Sequence, residues 1–181
     1  MNGSQAFMSK DTFSFHRIGF VFSFFLLCTQ LAFGSDAHKK SLFLKNITPL
    51  ISWPENDKAE FSICVLNDKT FFNAFQGVYA GKHVNKKPVV ISDLLHTDTA
   101  SLCDILFIGK ETKAVTELTQ ALLNKPTLTI SDIKALRNNG VMITMHEEDD
   151  RIACTINQKA AQEADIRVSY LLLESAYEVI K

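Results

Sequence analysis

The stretch I-S-W-P-E-N-D-K-A-E-F-S-I-C-V-L-N-D, residues 51–68, decides how the rest of the chain is arranged. Its first part ends an apolar pattern at helical spacing with the only tryptophan, Trp53, and with Pro54. A proline disfavours helical geometry in the residue before it, so the helix should end here. The second part, Glu60–Leu66, is a short apolar run typical of a buried strand. We therefore predict a helix over 37–52 that is followed by the first core strand.

Downstream of this stretch, short apolar runs alternate with amphipathic segments. This alternation predicts an α/β fold with a mostly parallel sheet and flanking helices. The extra N-terminal helix precedes the sheet, and an antiparallel hairpin and further helices follow it. We expect one domain over residues 35–181. The predicted elements after the first strand are a helix from Asp68 or Lys69 to about 80, a strand over 88–92, a strand over 104–108, a helix over 112–124, a strand over 127–130, a helix that Ser131 caps, a hairpin of 141–145 and 152–156, and helices over 159–164 and 169–180.

The first 34 residues resemble a cleaved signal peptide. Lys10 and Arg17 give a positive start, residues 18–28 form an apolar core, and Ala32-Phe33-Gly34 places small residues at the cleavage positions. We predict cleavage before Ser35, export of the domain and no membrane span in the mature protein. An uncleaved membrane anchor is the alternative, although the apolar run is short for a span.

Three cysteines remain after this segment: Cys64, Cys103 and Cys154. Export to an oxidising compartment favours one disulfide and one free thiol. Cys64 lies within the first strand and Cys103 directly precedes the strand over 104–108. Neighbouring strands would bring these two sulfurs together, so we expect a Cys64–Cys103 disulfide in preference to no bond.

The composition and motifs argue against several function classes. The formal net charge is −1 at pH 7, and no basic footprint for nucleic acid is present. The histidines lack the spacing of metal ligands, and Gly109–Thr112 lacks the first glycine of a phosphate-binding loop. No serine or cysteine stands in a nucleophile motif. We therefore expect no metal, no cofactor and no enzymatic activity.

Two candidate sites emerge from the pattern. Loops after parallel strands meet at one edge of a sheet, where α/β folds place ligands. Asp68, Lys110 and Asp132 lie in such loops, so they are candidates for binding a small molecule.

The second candidate is the N-terminal helix with Trp53. Leu42, Phe43 and Leu44 are consecutive and cannot all face one core, so part of this helix is expected to meet a partner or a second copy of the chain. Trp53 has two interpretations: it anchors the helix on the core, which we favour, or it is a partner hot spot.

A series of segments, taken in order, resembles the YfiR family of exported bacterial proteins, with the likeness running from about Ser41 to Ile180. The segments are S-L-F-L-K-N-I-x-x-x-I-S-W-P (41–54), F-S-I-C-V-L-N-D (61–68), A-G-K-x-V-N-K-K-P-V (80–89), C-D-I-L-F-I-G (103–109), P-T-L-T-I-S-D (126–132), Gly140–Met145, I-N-Q-K-A-A (156–161) and S-Y-L-L-L (169–173).

The resemblance implies a periplasmic, non-enzymatic α/β regulator. It also implies a partner, the periplasmic domain of an inner-membrane diguanylate cyclase, whose repression modulates cyclic-di-GMP signalling and biofilm formation. The alternative from another class is a periplasmic small-molecule-binding module that uses the strand-end residues Asp68, Lys110 and Asp132.

Overall fold

The N-terminal helix is shorter than the sequence predicted. The computed structural model describes residues 35–149 and 151–181, so the predicted signal segment lies outside the described residues. Helix α1 spans Ser35–Ile47 and is followed by a 3-10 turn, Thr48–Leu50, and by strand β1, Ile51–Ser52. Pro49 explains the difference, because proline has no N–H for an α-helical bond but fits the first positions of a 3-10 turn.

Strand β2, Phe61–Leu66, lies inside an eight-stranded sheet, as expected for a first core strand. The strand order is β10-β8-β7-β6-β5-β2-β4-β3. All neighbours are parallel except the β7–β8 and β3–β4 pairs, and β1 pairs separately and antiparallel with β9. The other strands are β3 (His83–Val84), β4 (Lys87–Leu94), β5 (Ile105–Ile108), β6 (Leu128–Ser131), β7 (Ile143–Glu148), β8 (Arg151–Asn157), β9 (Arg167–Val168) and β10 (Glu178–Ile180).

Four further α-helices cover the sheet, and each of three begins at a side chain that caps its N-terminus. The helices are α2 (Lys69–Tyr79), α3 (Val115–Ala121), α4 (Gln158–Glu163) and α5 (Tyr170–Ser175), with 3-10 turns at Ala100–Leu102 and Lys134–Asn138. Asp68 caps α2, Asn157 caps α4 and Ser169 caps α5, each by accepting a backbone N–H bond. No helix of the described residues is long and apolar enough to cross a bilayer.

The hydrophobic core has two layers, one on each face of the sheet. On the first face, α1 and α2 pack on β2 and β5, and Phe71 stacks on Phe107 with ring centroids 4.0 Å apart. On the second face, Leu106 and Ile108 pack with α3 through Val115 and neighbouring leucines. Burial on both faces explains why β2 and β5 are continuous apolar runs instead of alternating ones.

The predicted Cys64–Cys103 disulfide is present, with the two Cα atoms 5.9 Å apart. The disulfide joins β2 to Cys103, which lies two positions before β5. Strands β2 and β5 are direct neighbours in the sheet. Cys154 is a free, buried cysteine, and burial raises the pKa of its thiol to about 11.

The end of the chain differs from the prediction. Ser169 caps a helix as expected, but α5 ends at Ser175, and residues 178–180 form β10 instead of continuing the helix to 180. The open edge of β8 accounts for this, because Glu178, Val179 and Ile180 pair in parallel with Thr155, Ile156 and Asn157. The segment after Ser131 also differs: the Ser131 hydroxyl accepts the Ile133 N–H, but only a 3-10 turn follows.

Candidate functional site

Trp53 is fixed at the amino end of the sheet by two contacts. Its indole Nε1 donates a hydrogen bond to the backbone oxygen of Asp104 at 2.9 Å. Its ring meets Phe61 edge-on, with centroids 5.0 Å apart. The side chain is half-buried and packs against the first core layer. These contacts place Trp53 as an anchor, the interpretation that the sequence favoured, while leaving part of the ring accessible.

Asp104 holds this end of the molecule together. Its carboxylate is 4% exposed, accepting the Ser62 N–H at 2.8 Å through Oδ2 and the Lys58 ammonium at 2.9 Å through Oδ1. Its backbone N–H donates to the Ser62 oxygen, and its backbone oxygen accepts from Trp53. A carboxylate taken out of water needs such partners, and Asp104 finds them on β2 and on the preceding loop. One residue therefore joins the loop, β2, β5 and the tryptophan.

Sequence reasoning missed Asp104 and Lys58. The available signal was a carboxylate directly before a continuous apolar run, which indicates a buried charge that needs a cation nearby. The identity of that cation depends on where the loop over 54–60 folds back, and spacing alone does not determine this.

A groove of about 690 Å³ opens beside Trp53, and we call it the Trp53 groove. The indole and Phe61 supply its aromatic part. Its lining carries both signs of charge, with the carboxylates of Glu55 and Asp57 and the ammonium group of Lys86. Lys87 is held by Asn56, to whose backbone and side-chain oxygens its ammonium donates at 2.9 and 2.6 Å. An aromatic surface with a mixed polar rim is the composition of protein–protein contacts. Its full lining is Ser52, Trp53, Pro54, Glu55, Asn56, Asp57, Phe61, Asn85, Lys86, Lys87 and Asp104.

The three consecutive apolar residues of α1 separate as their spacing requires. Leu44 is completely buried in the first core layer, Phe43 is half-buried against that layer, and Leu42 is 36% exposed. Leu44 therefore has no surface left for a partner. Leu42 and Phe43 do, so they and Trp53 are the residues of the predicted partner surface that a second protein could touch.

The strand-end residues lie after three adjacent strands: Asp68 follows β2, Lys110 follows β5 and Asp132 follows β6. Two of them already bind protein groups. Asp68 accepts the Phe71 N–H at 3.1 Å as the cap of α2. Asp132 accepts from Lys40 at 3.1 Å, and the same ammonium reaches Asp36 at 2.7 Å. Lys110 is exposed. The topology gathers these residues at one edge, and their role in ligand binding stays a prediction.

Residues 38–177 match the family described as YfiR/HmsC-like. The chain belongs to this family. The match covers α1 from residue 38, every strand except β10, the disulfide and the Trp53 groove. The family is regulatory and non-catalytic, and the disulfide is consistent with an extracytoplasmic location. No curated protein matches the chain in sequence.

Two solved structures share the fold at low sequence identity. One is the ABC domain in complex with L-Trp from Streptococcus pneumonia, with a TM-score of 0.52 and 12% identity. The other is a conserved domain protein from Vibrio cholerae O1 biovar El Tor strain N16961, with a TM-score of 0.56 and 12% identity. Each match covers 80% of this chain but only 60% of the other structure. At this identity the likeness shows the fold alone.

Proposed function

We propose that this protein is a periplasmic regulator that binds the periplasmic domain of an inner-membrane diguanylate cyclase and represses it. Repression would lower cyclic-di-GMP production and so modulate biofilm formation. The observation that carries the proposal is membership of the YfiR/HmsC-like family across residues 38–177. The disulfide between Cys64 and Cys103 supports the compartment, because such bonds persist in oxidising surroundings.

Two features of the surface fit this role, the Trp53 groove and the exposed part of α1. A partly buried tryptophan is a common hot spot, since a rigid ring contributes contact area with little loss of conformational entropy. Trp53 is already fixed by Asp104 and Phe61, so docking would not need to order it. Leu42 adds an exposed apolar side chain on α1.

Repression by binding follows from a shift of population. If the partner's domain exists in active and inactive conformations, a protein that binds only the inactive one holds it there. The shift is limited by the difference in affinity for the two conformations. Formation of a homodimer through the same α1 surface stays a prediction, and a dimer would compete with the cyclase for Leu42.

The test is direct binding of the purified protein to the periplasmic domain of a diguanylate cyclase from the same organism, measured by biolayer interferometry. Leu42→Ala is expected to weaken binding, whereas Leu123→Ala is the matched control. Leu123 is a 51% exposed leucine beside α3, which packs on the opposite face of the sheet. Trp53→Phe should weaken binding further, since it removes part of the exposed ring and the N–H that fixes the ring on Asp104, while keeping an aromatic side chain.

One result would contradict the proposed role, and another would contradict only the proposed interface. Absence of binding to every such cyclase domain would remove the regulatory role itself. Equal losses from Leu42→Ala and Leu123→Ala would keep the role but move the interface away from α1. The predicted alternative, a small-molecule-binding module at Asp68, Lys110 and Asp132, finds no specific support, because both carboxylates are engaged within the protein.

A further inference from the structure

A second groove lies where the C-terminal ends of α1 and α2 meet the β3–β4 hairpin. Its volume is about 640 Å³, within the range of roughly 300–1,000 Å³ that small-molecule sites occupy. We call it the basic groove. Its lining residues are Lys45, Asn46, Thr48, Pro49, Tyr79, Lys82, His83, Val84 and Asn85.

The charge of this groove is unlike that of four other grooves among the described residues. Each of those has at least one carboxylate in its lining, as the Trp53 groove does with Glu55 and Asp57. The basic groove has none, but it contains Lys45, Lys82 and His83. None of these three takes part in an ion pair within the part of the chain that the structure describes. Two lysine ammonium groups thus line this groove although the chain as a whole has a net charge of −1.

Helix dipoles neutralise only part of this positive charge. The C-terminus of an α-helix carries about half a negative charge, and two helices, α1 and α2, end at the groove. Together they offset about one of the two lysine charges. The second lysine is left without a counter-charge. The bottom of the groove is buried, since Tyr79, one of its lining residues, is 1% exposed.

The hydrogen bonds make the floor of the groove neutral and fixed. The Thr48 hydroxyl donates its one proton to the Leu44 oxygen at 2.7 Å, so in its 3.2 Å contact with the Tyr79 hydroxyl it is the acceptor. The Tyr79 phenol carries no negative charge at neutral pH, and burial, which raises its pKa from 10.0 to about 12, keeps it neutral in more alkaline solution as well. The rim adds the amide side chains of Asn46 and Asn85, which can donate to oxygen atoms.

We propose that the basic groove binds a small, multiply charged anion bearing carboxylate or phosphate groups, with Lys45 and Lys82 as its charged ligands. Two ammonium groups and two amides offer donors without a competing carboxylate, and charge-assisted hydrogen bonds from ammonium groups bind such anions strongly. Asn85 lines both this groove and the Trp53 groove, so a bound anion would border the surface proposed for the cyclase. Anion binding itself does not depend on that proposed function.

The test is isothermal titration calorimetry of the purified protein with inorganic pyrophosphate and, separately, with citrate. Sulfate at matched ionic strength serves as the reference for general counter-ion binding. The variant Lys45→Gln/Lys82→Gln is compared with Lys39→Gln/Lys125→Gln, which makes the same charge change at exposed positions outside all five grooves. We expect the first pair to weaken binding about ten-fold or more and the second pair to leave it nearly unchanged.

The two anions identify the chemistry. Binding of pyrophosphate alone assigns a phosphate ligand, binding of citrate alone assigns a polycarboxylate, and either result supports the proposal. Affinities for both that merely equal the affinity for sulfate would overturn it, as would equal losses in the two double variants or no binding at all. Thermal unfolding of each variant, expected to match that of the wild type, confirms that the folded protein is being compared.

Discussion

Removing the Asp104 carboxylate is expected to lower the free energy of unfolding by about 2–3 kcal/mol. The carboxylate is 4% exposed and accepts the Ser62 N–H at 2.8 Å. A hydrogen bond to a charged group contributes about 1.5–3 kcal/mol, and Asp104→Ala would leave this N–H without its acceptor. The ion pair with Lys58 adds less, because that ammonium group is on a 37% exposed side chain and water can replace the carboxylate.

Two companion variants separate these contributions. Asp104→Asn keeps an oxygen for the Ser62 N–H but removes the charge, so it should cost less than Asp104→Ala. Lys58→Ala removes only the half-exposed partner, and the shortened side chain lets water reach the carboxylate in its place, so it should cost about 1 kcal/mol or less. In a domain of this size each kcal/mol shifts the thermal midpoint by about 2–4 °C, so Asp104→Ala should lower it by about 4–12 °C.

Trp53 is the only tryptophan and donates to the Asp104 oxygen, which makes its fluorescence a local reporter. Urea unfolding followed by this emission and by far-UV circular dichroism gives both the local and the global transition. Equal costs for Asp104→Ala and Lys58→Ala would refute the argument, because they would show that the Ser62 bond contributes nothing beyond the ion pair.

Three further outcomes follow from the packing. Gly109→Ala should lower the free energy of unfolding by about 1–3 kcal/mol, because an added Cβ would lie 2.6 Å from Asn67 O, Leu66 O and Asp68 Cβ. The loss would be seen as a lower urea midpoint. Gly77→Ala is the control, since its Cβ would meet nothing within 4 Å. Cys64→Ser should cost about 3–4 kcal/mol through loss of the disulfide, and reductant should reproduce that loss in the wild type but change nothing further in the variant. Stability should fall as pH rises from about 9 towards 11, because burial raises the pKa of the Cys154 thiol from 9.0 to about 11 in the folded state and the unfolded thiol ionises first. Cys154→Ala should make this fall of stability with pH less steep. A urea midpoint that rises over this pH range would contradict the prediction.

Local patterns predicted the centre of the fold well. The continuous apolar runs of β2 and β5 indicated buried parallel strands, and they are neighbours in the sheet. That adjacency is what allowed the Cys64–Cys103 disulfide to be predicted from the positions of the two cysteines. Helix α2 could be predicted because Asp68 is a strong capping residue before a run of aromatic residues at helical spacing.

The errors concern segments whose conformation depends on distant partners. Residues 178–180 form a strand because β8 offers an unpaired edge with which they can pair. The sequence around residues 178–180 does not indicate this pairing, because β8 lies elsewhere in the chain. The predicted partner surface included one residue, Leu44, that is buried, for a related reason. Spacing showed that Leu42, Phe43 and Leu44 could not share one core, but only the packing of α1 identifies Leu44 as the buried member.

The contacts around Asp104 connect the stability of the core to the candidate partner surface. Cys103 directly precedes Asp104, and the disulfide links Cys103 to Cys64. Cys64 lies two positions after Ser62, whose N–H donates to the Asp104 carboxylate. A covalent bond and a buried hydrogen bond therefore fasten the same short segment before β5 to β2. Because Trp53 donates to the Asp104 oxygen, this doubly fixed point also sets the position of the indole. A surface fixed in this way loses little conformational entropy on docking, which suits the proposed role of selecting one conformation of a partner by contact alone.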